Sequence, residues 1–254
     1  MVCFVHLVRP KRDFRPQGLY GITQRGNQGQ WVFCDDEDFE KALTYMWKYA
    51  AMHGVVVHGY CLMHNHGHWL FEASTAESIS SLMRDMQSRY SGYLNRKYAR
   101  KPWVLLGRLD GLTWEDLAVF SPYRRAGPVN WTPRFHSGDA LDEAGFKLFL
   151  EYLENNPVRA YLAAHASDWR WSSAPAHCGE PAVGTEVCTE QWRSVFRRPA
   201  TIVAEWREYL ASRIRVEREN AARLRAYGLR RGRIGTGSRW NRPVGWAAVL
   251  ASAG

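Results

Sequence analysis

His66 and His68 are separated by one residue, Gly67. On an extended strand alternate side chains share a face, so the two imidazoles stand side by side and can chelate one divalent ion. Imidazole accepts Zn, Mn, Co or Ni, and with oxygen ligands added such a site can run on Mn or Mg. Further along, Tyr152 and Asn156 lie four apart in a helical segment, one above the other on a single face. The Asn156 carbonyl can supply a hard third ligand. A Tyr152 hydroxyl beside it would then face a metal-bound phosphate, the arrangement that phosphoryl transfer to tyrosine requires. Spacing alone leaves plainer readings open: surface or core histidines at 66 and 68, and a packing aromatic at 152.

The elements that must position these residues follow from periodicity. Gly18 to Arg25 reads as a strand ended by Gly26-Asn27. Asp35 to Asp38 is an acidic helix start, and Phe39, Leu43, Met46, Trp47 and Ala50 recur at helical spacing. Val55 to Cys61 is a strand, Met63-His64-Asn65 a turn, and His66 to Glu72 a second strand. Ser78 to Arg100 is a helix with Ile79, Leu82, Met83, Met86, Tyr90, Tyr93 and Leu94 along one side. Residues 101–130, rich in Gly, Pro and Trp, read as an insertion loop. Trp131 to Leu141 carries a short strand, and Asp142 opens a helix that Pro157 should stop at Asn155 or Asn156. The order β-α-β-β-α-loop-β-α predicts an α+β fold: a ferredoxin-like antiparallel sheet with helices on one face. Three divisions follow: a basic N-terminal arm over 1–17, a core domain over 18–175, and a basic helical extension and tail over 176–254, with one helix across Thr201 to Leu229.

The 254 residues carry 34 Lys+Arg against 25 Asp+Glu, a formal net charge of +9, with 12 Trp and 12 Tyr. Among ionised partners, nucleic acid suits such an excess, and exposed aromatics can stack on bases. No apolar run approaches the ~20 residues that span a bilayer. Met1 to His6, followed by Arg9-Pro10-Lys11-Arg12, is too short for a secretory signal. The five cysteines form no C-x-x-C pair, which predicts free thiols in a reducing cytoplasm.

Several stretches together resemble the IS200-like tyrosine transposases, especially the branch associated with repeated extragenic palindromes. Gly18-Leu19-Tyr20 with Thr23-Gln24-Arg25-Gly26-Asn27 resembles that branch's first strand and Arg-Gly-Asn turn. Met63-His64-Asn65-His66-Gly67-His68 resembles Met-Pro-Asn-His-x-His. Trp131-Thr132-Pro133-Arg134-Phe135 resembles the segment before the last core helix. Tyr152 through Asn155-Asn156-Pro157-Val158-Arg159-Ala160 resembles Tyr-Ile-x-x-Asn-Pro-Val-Arg-Ala, and Trp171-Ser172-Ser173 resembles the Trp-Ser-Ser that follows. The likeness runs from about residue 16 to 174.

The resemblance implies roles. Tyr152 matches the nucleophile, His66 and His68 the metal-binding histidines, and Asn156 the polar side chain completing the site. It implies Mg2+ or Mn2+, cleavage of single-stranded DNA near a hairpin, and attachment to the 5′ end through tyrosine. The expected partner is single-stranded or hairpin DNA of the REP-like palindrome kind, met in the cytoplasm at the nucleoid by a monomer or homodimer, with no membrane involved. Arg25, Asn27, Arg134, Arg159, Trp103, Arg230 and Arg231 are the candidate DNA contacts. Tyr90 and Tyr93 are competing nucleophiles without the Asn-Pro-Val-Arg context. There are departures: His64 stands where the family has Pro, Gly67 and Trp69 replace aliphatic residues, and residues 101–130 are longer than the usual link. Two other readings differ in class. One is a hairpin-binding protein with reduced chemistry on the same scaffold. The other is an unrelated metal hydrolase using His64, His66 and His68.

Overall fold

The computed structural model describes residues 14, 16–29, 31–75, 77–98, 131–132, 134–137, 141–181 and 201–226. The elements are β1 (Leu19–Arg25), α1 (Asp36–His53), β2 (Val55–Met63), β3 (His66–Ala73), α2 (Ser78–Tyr98), β4 (His136–Ser137), α3 (Glu143–Glu154), α4 (Asn156–Arg159), α5 (Ala174–His177) and α6 (Ile202–Ala226). The chain divides into two compact units, residues 1–211 and 212–254. The insertion expected at 101–130, and with it Trp103, lies outside the described residues, as do Arg230 and Arg231.

Four strands form one sheet in the order β2-β3-β1-β4, and every described pairing is antiparallel. The β2–β3 hairpin turns at His64-Asn65, so β3 begins at His66. Placing β3 between β2 and β1 puts the histidine strand at the centre of the sheet. Cross-strand register sets Thr23 opposite His68 and Arg25 opposite His66.

Pleating divides the sheet into two faces. Tyr20, Ile22, Val57, Trp69 and Phe71 join the core formed with Phe39, Leu43, Met46, Ile79, Leu82, Met83 and Tyr90, so α1 and α2 cover that face. Asp35 caps α1, its carboxylate accepting from the Asp38 N–H at 3.1 Å. Gly54 ends the helix at φ 62°, a left-handed conformation that suits glycine. A bulge between Val57 and Gly59 re-phases β2. The Gly67–Trp69 departure has a packing reason: a Cβ on Gly67 would stand 2.5 Å from the Trp69 indole, so the large ring occupies the space that glycine leaves.

The opposite face carries Thr23, His66, His68 and Leu70, and α3 crosses it. The apolar residues of α3, Phe146, Phe149, Leu150 and Leu153, recur at i, i+3, i+4 and i+7 and are all buried. The helix comes close because two strand positions have no side chain. A Cβ at Gly21 would meet Phe149 at 2.6 Å, and one at Gly59 would meet Leu150 at 2.6 Å. The sheet is therefore layered on both sides, α1 and α2 beneath and α3 above.

The helix stops within a residue of the expected end before Pro157, but the chain stays helical beyond it. α3 ends at Glu154, Asn155 stays in the right-handed helical region, and winding resumes as α4, with Pro157 in its first turn. Proline is tolerated there because a first-turn N–H has no helical partner to lose. Asn156 thus opens a second short helix rather than closing the first. Among the described residues, Cys34, Cys61 and Cys178 are free thiols, and no helix is long and apolar enough to cross a membrane.

Candidate active site

His66 and His68 project from the α3 face of β3, their ring centroids 4.9 Å apart with planes at 90°. Each ring is held through Nδ1. The His66 Nδ1 lies 2.6 Å from Asn65 Oδ1; that oxygen only accepts, so Nδ1 carries the proton and the lone pair is left on Nε2. The His68 Nδ1 lies 2.8 Å from Thr23 Oγ1, across the β1–β3 register. His68 Nε2 is buried and has no hydrogen-bond partner. Orientation through the distal nitrogen is how metal-binding histidines are usually aimed.

Protonation agrees. Burial, followed by the charge of Arg25, pushes His66 down to about 4. Burial and the neighbouring His66 hold His68 well below the usual histidine value. At neutral pH both rings are uncharged, and their lone pairs are available without first losing a proton.

Tyr152 stands against this pair. Its ring centroid is 5.4 Å from that of His68, edge to face. The Arg159 guanidinium lies 5.5 Å from the Tyr152 ring centroid. Arg159 is fixed by donating to the Tyr152 carbonyl at 2.9 Å and to Glu151 Oε1 at 2.6 Å. Contacts thus join Thr23, Asn65, His66, His68, Tyr152 and Arg159. Asn156 follows Tyr152 by four residues, with its Nδ2 buried and lacking a hydrogen-bond partner. Arg25 faces His66 across the register, its Nε buried and likewise unpaired. Asn27 is exposed at the start of a short turn after β1. Arg134 is half-buried just before β4.

The orphaned His68 Nε2 and the unprotonated pair fit a divalent ion. Among the described residues no group of three or more His, Cys, Asp or Glu could hold one. Further ligands to an ion on this pair would be oxygens of another kind, such as the Asn156 amide or a phosphate.

His64 does not join the pair. Its Nδ1 lies 2.9 Å from the Phe33 carbonyl oxygen, and its ring stacks on Trp31 at 4.6 Å. Phe39 and Trp169 close on its edges at 5.7 and 6.0 Å. Here imidazole pins the hairpin turn to the segment before α1. A three-histidine hydrolase site is thereby excluded. His64→Ala is expected to lower stability by about 1–3 kcal/mol in urea unfolding, through the lost hydrogen bond and stacking. Mn2+ affinity by calorimetry should stay within about twofold; a tenfold loss would return His64 to the ligand set.

Tyr90 and Tyr93 are on the other side of the sheet. Tyr90 is buried and donates to the Val32 carbonyl. Tyr93 donates to Asp38 at 2.9 Å and accepts from Lys97. Neither hydroxyl faces the histidines.

Thr23 and Asn65 were not among the site residues foreseen. Both lie in motif stretches, yet only the strand register shows that they orient the rings. Glu154 was missed as well. Wholly buried two residues after Tyr152, it accepts from Ser173 Oγ at 2.6 Å, Trp206 Nε1 at 2.8 Å and His177 Nδ1.

A crossing helix thus brings a tyrosine against paired histidines on an inner strand of the antiparallel sheet, and this is the candidate site of the α+β domain. Residues 28–108, which include the histidine strand, match the family described as "Transposase IS200 like". No curated protein matches the chain. Among solved structures, a REP-associated tyrosine transposase bound to a REP hairpin is 14% identical, covering 71% of this chain and 92% of its own, with a TM-score of 0.48. A protein from Deinococcus radiodurans R1, assigned as a transposase, is 14% identical, covering 58% of this chain and 97% of its own, with a TM-score of 0.34.

Proposed function

We propose that this chain is an IS200-like tyrosine transposase of the palindrome-associated branch, which cuts and transfers single-stranded DNA near hairpins through a covalent 5′-phosphotyrosine. The observation that carries the reading is the placement of Tyr152 against His68, whose outward nitrogen is buried, neutral and unpaired.

His66, His68 and Asn156 would hold Mg2+ or Mn2+. Bound there, the ion would polarise the scissile phosphate and offset its developing charge. The Tyr152 oxygen attacks phosphorus. The bond from phosphorus to the 3′ oxygen breaks, the tyrosine proton passes to solvent, and the departing oxygen takes up a proton as a free 3′-OH. No water is consumed, so the phosphotyrosine can be resealed by another 3′-OH. Arg159 keeps a positive charge beside the tyrosine as the phosphate bonds to it. Arg25, at the end of β1 across from His66, and Asn27, in the turn that follows, contact backbone phosphates. Arg134, Trp103, Arg230 and Arg231 complete the DNA contacts.

The test is a labelled hairpin-bearing single strand incubated with the protein and Mn2+ or Mg2+. A denaturation-resistant adduct on the 5′ fragment is expected. His68→Ala should reduce its formation on the order of 10²-fold or more, with chelation doing the same to the unaltered protein. Cleavage unaffected by His68→Ala would remove the metal site. Salt-sensitive hairpin binding without any adduct would leave only the binding-protein reading.

A further inference from the structure

We propose that Tyr161 is a stacking platform for an unpaired nucleobase of the DNA single strand. This rests on the reading above that the chain handles single-stranded DNA.

α4 ends in a Schellman cap: the Leu162 N–H donates to the Pro157 carbonyl at 2.9 Å and the Tyr161 N–H to the Val158 carbonyl at 3.2 Å. The cap requires its penultimate residue to be left-handed, a position usually filled by glycine. Tyr161 occupies it at φ 60°, and among the described residues only Gln17 is another non-glycine with positive φ. The Cβ of an L residue makes this conformation costly.

The side chain does not offset that cost by packing. Tyr161 is 83% exposed and Leu162, beside it, 43%. A large ring that strains the backbone and buries almost nothing works against the fold. Such positions gather at functional sites. The ring follows Arg159 by two residues, and Arg159 touches Tyr152 through both its guanidinium and its hydrogen bond. An exposed phenol ring held in place by a strained cap, two residues along the chain from an arginine, matches one chemistry in particular: a base stacked on the ring. Every base has a π-face, so the contact tolerates sequence and favours unpaired nucleotides.

The experiment joins stability to binding. Tyr161→Gly relieves the left-handed strain, so its Tm should equal or exceed that of the unaltered protein, by about 2 °C. The same variant should bind a fluorescein-labelled hairpin with a single-stranded flank roughly tenfold more weakly, read by anisotropy on a Tyr152→Phe background. Tyr161→Phe keeps the ring and should bind normally. Replacing flank nucleotides one at a time by abasic residues should weaken binding by the Tyr161 protein at one position, and leave Tyr161→Gly indifferent there.

Binding by Tyr161→Gly within twofold of the Tyr161 protein would overturn the inference, as would an abasic profile identical in the two. Because binding is measured without chemistry, a missing covalent adduct counts against the proposed function and leaves this result standing.

Discussion

Tyr152→Phe is expected to abolish the covalent DNA adduct, with strand cleavage falling on the order of 10⁴-fold or more. The substitution deletes one oxygen and keeps the ring. The edge-to-face contact with His68 at 5.4 Å and the guanidinium of Arg159 over the ring depend on the aromatic body, not the hydroxyl. Stability should therefore change by no more than about 1 kcal/mol, and hairpin affinity should be retained. Tyr90→Phe is the contrasting case. Its hydroxyl bonds the Val32 carbonyl inside the α1–α2 core, so its loss should cost about 1 kcal/mol of stability and leave the adduct in place. Adduct formation by Tyr152→Phe would assign the chemistry to a different residue. Failure of that variant to bind DNA would mean that the ring contacts had been misjudged.

How much of this was legible beforehand differs from residue to residue. The histidine pair was readable because a strand has a two-residue period, so His66 and His68 share a face wherever the strand lies. Which face, and what covers it, was not. That depends on Gly21 and Gly59, whose missing side chains let α3 approach, and single glycines in strands announce no particular neighbour. An expectation of helices on one face follows from element order, and α1 and α2 obey it. The third helix lies opposite because Leu70 and the buried histidine strand also need cover there. His64 illustrates the limit of composition. Three histidines within five residues suggest a cluster, but the hairpin turn directs the first into Trp31 and Phe39 while the strand directs the other two to the opposite side. The end of α3 before Pro157 was legible, but the short helix that follows was not, for a local reason. Proline breaks a helix interior, but three residues past the end of α3 it sits in the first turn of the next helix.

Glu154 was the least legible of all, and replacing it should have the second large effect. A glutamate near a helix end is ordinarily solvated. This one is 0% exposed, and its partners Ser173, His177 and Trp206 are 19 to 52 residues away in sequence. It ties α3 to α5 and to the first turns of α6, where Ile202, Trp206 and Leu210 are buried. Asn155 adds a second tie, donating to the Leu210 carbonyl at 3.1 Å. Glu154→Ala removes the acceptor shared by three buried donors and opens a cavity, and a loss of about 3–5 kcal/mol is expected in urea unfolding. Glu154→Gln should cost less, about 1–3 kcal/mol, because an amide keeps one accepting oxygen but turns an N–H toward a donor. Trp206→Phe removes a single donor and some packing, at about 1–2 kcal/mol. In Glu154→Ala the Trp206 N–H has already lost its acceptor, so the double variant should be less destabilised than the sum, by at least about 1 kcal/mol. Simple additivity would show that the carboxylate and the indole act independently and that the hydrogen bond does not join the two helices. The coupling reaches the chemistry through position. Tyr152 is two residues from this carboxylate on the same helix, and its approach to His68 depends on where that helix ends. Trp206→Phe, folded at working temperature, should therefore slow adduct formation severalfold while hairpin affinity stays unchanged.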